Sequence, residues 1–79
     1  MDINASIVRY LYRHPNSTVD EIVTNIHMSR IGVAVQLSLL RDHGYVSTES
    51  HIGTIGQREQ DHYVFNTYSL VKEVTKREW

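Results

Sequence analysis

Five histidines, His14, His27, His43, His51 and His62, are the side chains with most obvious chemical potential. Asp42-His43 and Asp61-His62 each set a carboxylate beside an imidazole, and these group types hold divalent metals. Their spacing argues against such a site. No H-x-x-x-H or H-x-H pair occurs, and adjacent residues on a strand point to opposite faces. The histidines therefore read as surface or cap residues, and no metal or cofactor is expected. The absence of Cys removes thiolate nucleophiles and Cys-ligated zinc. Ile52-Gly53-Thr54-Ile55-Gly56 falls far short of a phosphate-cradling loop, and turn formation accounts for its two glycines. No Ser/His/Asp order or paired buried carboxylates stands in a convincing context. The chain is expected to bind rather than to catalyse.

The elements that must position any binding residues are legible from caps and apolar spacing. A first helix begins at Asp2 or Asn4, each able to cap an orphan helix N–H. It carries Ile3, Ile7, Val8, Leu11 and Tyr12 at helical intervals, and His14-Pro15-Asn16 ends it. Thr18 and Glu21 form a T-x-x-E capping box for a second helix whose stripe is Val19, Ile22, Val23 and Ile26. After a short His27-Met28 turn, Ser29 caps a third helix running to about His43. Its inner stripe is Val33, Leu37 and Leu40, and Gly44 stands where a left-handed residue closes a helix. Residues 45–50 read as a strand, 51–60 as a flexible hairpin loop, and 62–68 as the returning strand. Ser69 is expected to cap a short last helix, 69–79, with Leu70, Val71 and Val74 on one side and Trp79 at its end. This order predicts an α+β winged helix-turn-helix: three helices, a two-stranded β-hairpin wing and a short C-terminal helix in a single domain.

Residues 29–46 carry a family resemblance. A Ser cap is followed four residues on by Val33, after four more by Leu37, and after three more by Leu40, then by Gly44-Tyr45-Val46. This run resembles the third helix and first wing strand of winged helix-turn-helix regulators, and the resemblance covers about residues 3–68. Among small members it is most similar to the PapI and FaeA type of fimbrial-operon regulator, which have a Leu-rich third helix and an aromatic-rich second wing strand like His62-Tyr63-Val64-Phe65. The resemblance implies double-stranded DNA as partner, bound by the chain alone or beside a larger regulatory protein. One departure stands out: the fimbrial regulators typically carry Arg where this chain has Ala34.

In such a fold the third helix enters the major groove. With Val33, Leu37 and Leu40 inward, the helical wheel sets Ile31, Gly32, Val35 and Leu39 near the outward face. Arg30, Gln36 and Ser38 lie on its flanks. Gln36 suits adenine and Arg30 suits guanine, while Ile31 and Val35 can touch thymine methyls. Thr18 and Ser29, at helix N-termini, and Arg58, in the wing loop, complete the expected DNA-binding set. The apolar stripe has a second reading, as a surface packed by the C-terminal helix, a partner subunit or another protein. Leu39, Leu70, Val74 and Trp79 are the expected homodimer or partner interface, and a protein-interaction module such as an antirepressor or inhibitor is the alternative function.

Charge and length bound these readings. Eight basic residues stand against nine acidic ones, net −1, which weakens any broad electrostatic attraction to nucleic acid. Seventy-nine residues with 41% apolar content allow one small core without a deep cleft, and a chain of this size buries only about 60% of its unfolded surface. Oligomerisation is one source of the missing stability. No apolar run approaches the ~20 residues of a membrane span, and no signal peptide is visible. A cytoplasmic protein of viral or prokaryotic origin is expected.

Overall fold

Asn4 opens the first helix, and its side chain decides where. The Asn4 carboxamide oxygen accepts from the Ser6 and Ile7 N–H groups at 2.9 and 3.3 Å, so two orphan donors of helix α1 (Ala5–Arg13) are satisfied. The computed structural model describes residues 3–54, 56 and 62–71. After His14-Pro15 the chain turns through Asn16, which is left-handed, into helix α2 (Val19–Ile26). The Thr18 hydroxyl accepts from the Glu21 N–H at 3.2 Å and donates to the Glu21 carboxylate at 3.4 Å. The hydroxyl thus takes up the carboxylate, where a capping box would return it to the Thr18 N–H.

A three-residue turn, with His27 left-handed, leads to helix α3 (Arg30–Asp42). Ser29 caps it by accepting from the Gly32 N–H at 3.0 Å. Its end is a complete Schellman motif. The Gly44 N–H donates to the Arg41 carbonyl at 2.9 Å, and the Tyr45 N–H to the Leu40 carbonyl at 2.8 Å. Gly44 has φ +74°, a conformation that a Cβ disfavours.

Strands β1 (Val46–Thr54) and β2 (His62–Leu70) form one antiparallel hairpin in unbroken register, from Val46 opposite Leu70 to Thr54 opposite His62. Two expectations are corrected here. Residues 51–54 belong to β1 rather than to the loop: Gly53 lies under the Tyr63 ring, and an added Cβ would sit 2.5 Å from it. Ser69 and Leu70 belong to β2 rather than to a last helix. The Ser69 hydroxyl accepts from the Asn16 N–H and donates to the Asn16 carboxamide, both at 2.8 Å, which holds it beside the α1–α2 turn. Val71, also expected in that helix, is not helical and donates its N–H to the Tyr45 carbonyl at 2.9 Å; the rest of the expected helix, 72–79, lies outside the described residues.

The core is where the three helices meet the base of the hairpin. It consists of Ile7, Val8 and Leu11 from α1, Ile22 from α2, Val33, Leu37 and Leu40 from α3, and Val46 from β1. Tyr12, expected on the inner stripe of α1, is instead 62% exposed. Buried Ser17 exchanges both backbone hydrogen bonds with Tyr68, at 3.2 and 2.8 Å, and so ties the α1–α2 connection to β2. The described residues are α+β: three helices and a two-stranded antiparallel hairpin.

Candidate functional site

The outward row of α3 is Ile31, Ala34, Val35 and Ser38, all exposed. These positions follow i, i+3, i+4, i+7, the surface opposite Val33, Leu37 and Leu40. Ile31 is 78% and Val35 52% exposed, so the described residues do not cover this surface. The row is apolar apart from the Ser38 hydroxyl and is flanked by Arg30 and Arg41.

Gly32 and Leu39 do not belong to that row. Both are half-buried, and Gly32 sits beneath Ser29 and Met28, with 3.1 and 3.4 Å between an added Cβ and their side chains. Gln36 is half-buried, and its carbonyl oxygen accepts from the Asn4 N–H at 3.0 Å. The Asn4 side-chain amide donates to the Met28 sulfur at 3.2 Å. The helical repeat thus turns the 32–36 side of α3 toward the N-cap of α1 and the 31–35–38 side toward solvent.

Arg30 is paired with Asp20 across the α2–α3 turn. Both partners are well exposed, so the pair stabilises little, but it holds the guanidinium over α2. Asp20 and Glu21 occupy the first turn of α2, where they suit the helix dipole. They also surround Thr18 with negative charge, which opposes a phosphate at that helix start. Thr18 therefore serves as a cap. Thr18→Ala is expected to lower stability by about 1 kcal/mol and to leave any ligand affinity unchanged, measurable as a melting shift alongside an unaltered binding curve.

The hairpin offers two further surfaces. On one face Tyr63, Phe65 and His51 form a row, with ring centroids 5.5 and 5.2 Å apart. The His51 Nε2 lies 2.9 Å from the Thr67 hydroxyl and 3.9 Å from the Glu49 carboxylate. On the other face Ile52 and Val64, directly opposite one another, are 74% and 71% exposed. Neither surface is among the expected ones: Tyr63-Val64-Phe65 is a continuous apolar run, with no apolar-polar alternation to say which side chains share a face.

No family model, curated protein or solved structure matches the chain.

Of the expected site residues, the structure brings Ile31 and Val35 together on one open surface. It engages Gln36 with Asn4, Arg30 with Asp20, and Thr18 and Ser29 as caps. Leu70, expected at an interface, packs against the chain's own core, and Leu39 is half-buried. Arg58, Val74 and Trp79 lie outside the described residues. Among the described residues no three His, Asp or Glu side chains stand close enough to hold a metal ion, and no helix is long and apolar enough to cross a membrane.

Proposed function

We propose that the chain is a small winged helix-turn-helix regulator that binds double-stranded DNA. In this reading α2 and α3 are the helix-turn-helix pair, and the hairpin is the wing. The observation that carries the proposal is the row Ile31, Ala34, Val35 and Ser38 on the second helix of that pair, which the described residues leave exposed. An α-helix fits the major groove, and small apolar side chains there meet thymine methyls. Ala34 lets the helix backbone approach closely, and Ser38 can bond to either base type. Gln36 is turned away from the bases by its bond to Asn4, whereas the exposed Arg30–Asp20 pair is weak enough for Arg30 to exchange Asp20 for a phosphate, so specificity rests on methyl contacts and DNA shape.

The test is a fluorescence anisotropy titration of the full chain against genomic duplex fragments at low salt. A specific site should bind at least about tenfold more tightly than random duplex, and the affinity should fall as salt rises. Equal binding to all duplexes overturns the proposal.

A second reading has its own observation. With Gln36 engaged by Asn4, the row Ile31, Ala34 and Val35 leaves the open surface mainly apolar, as in a protein-docking face. The chain would then act as an interaction module on a larger regulatory protein. The anisotropy titration separates the two: this second reading expects no duplex to bind more tightly than random sequence.

A further inference from the structure

We propose that β1 pairs through its open edge with β1 of a second copy, making a continuous four-stranded antiparallel sheet. The inference stands independently of the DNA reading.

Tyr68 gives both its N–H and its C=O to Ser17, so both point away from β1. Alternation along an antiparallel pair then directs the N–H and C=O groups of Val46, Thr48, Ser50, Ile52 and Thr54 away from β2. The Val71 N–H to Tyr45 carbonyl bond, 2.9 Å, fits the same phase. Among the described residues no other backbone group bonds to this edge. Exposed edges are normally blunted by Lys, Pro or a bulge. Residues 46–54 contain no Lys, Arg or Pro, and their register against β2 is unbroken.

The strand's own sequence selects both the occupant and the register. A two-fold pairing centred on Ser50 sets Ser50 against the partner's Ser50 and Thr48 against the partner's Ile52, and it overlaps all of Val46–Thr54. It also sets Glu49 against the partner's His51 at a position where side chains approach most closely, so an acid faces an imidazole. Sliding the pairing so that Thr48 meets Ser50 instead puts Glu49 against its own copy, which is repulsive. In the centred register Ile52, 74% exposed in the single chain, gains the partner's Thr48 as a neighbour, with Tyr68 beyond it on the same face. The two β1 strands become the middle of a four-stranded sheet, and each β2 lies outside its own β1.

The absence of Cys in the chain makes the register directly testable in the full-length protein. A hydrogen-bonded antiparallel pair has Cα atoms about 5.5 Å apart, which is within disulfide range. Ser50→Cys should therefore cross-link to its own copy about tenfold or more faster than Ile52→Cys, whose two copies are offset by four residues, about 13 Å along the strands. Sedimentation of the wild-type chain should show mass rising from 9.2 kDa toward twice that value with concentration. Ser50→Pro, which removes an N–H that β2 does not use, should hold the mass at the single-chain value. A wild-type chain that stays at 9.2 kDa, equal cross-linking of the two Cys variants, or a Ser50→Pro chain that folds and still dimerises overturns the inference.

Discussion

Leu37→Ala is expected to destabilise the chain by about 2–5 kcal/mol, the cost of deleting a fully buried leucine and leaving a cavity. Leu37 is 1% exposed and lies within the Val33–Leu37–Leu40 stripe, which meets α1, α2 and β1 in a single small core. Among the described residues only eight hydrophobic side chains are buried, and all eight belong to that core, so the loss falls on it alone. At roughly 4–8 °C per kcal/mol for a domain of this size, the melting transition should fall by about 10 °C or more. Circular dichroism melts give the answer: a shift of only about 2 °C would mean that the site collapses around the truncation. Val35→Ala, two residues away on the exposed row, provides the comparison and should move the transition by less than about 0.5 kcal/mol.

The contrast between those neighbours is legible in the sequence alone, because a 3.6-residue period and two caps fix which side of a helix faces inward. Thr18, Ser29 and Gly44 mark the ends of α2 and α3 through their own backbone chemistry, and the structure places all three in those roles. Local rules fail where a distant segment supplies the partner. Ser69 resembles a helix cap in isolation, but its hydroxyl is held by Asn16, 53 residues away. Gly53 resembles a turn residue, but it is the flat place on which the Tyr63 ring rests. Gln36 resembles a base-reading side chain until Asn4, 32 residues distant, claims its carbonyl oxygen. The three cases share one cause: a polar or small residue has several uses, and its tertiary neighbour selects among them. The apolar residues of α3 have fewer uses, so Val33, Leu37 and Leu40 point inward as their spacing predicts.

Val35→Glu should reduce specific duplex binding by more than about tenfold while leaving the fold intact. The position is 52% exposed on the outward row, so the glutamate remains solvated in the free protein and costs little stability. On the proposed DNA reading, the same carboxylate would replace a methyl contact in the major groove and bring negative charge toward the phosphates on both sides. Gln36→Ala should do the reverse. It deletes the acceptor for the Asn4 N–H and should cost about 0.5–1.5 kcal/mol of stability, with duplex affinity unchanged once the protein is folded. The pair of variants separates the two sides of one helix by two independent measurements, a melting curve and an anisotropy titration. A Gln36→Ala chain that keeps its stability but loses sequence preference would place Gln36 at the bases and return the recognition surface to the 32–36 side of α3. Loss in Val35→Glu alone keeps it on the 31–35–38 row, the side of α3 that the described residues leave exposed.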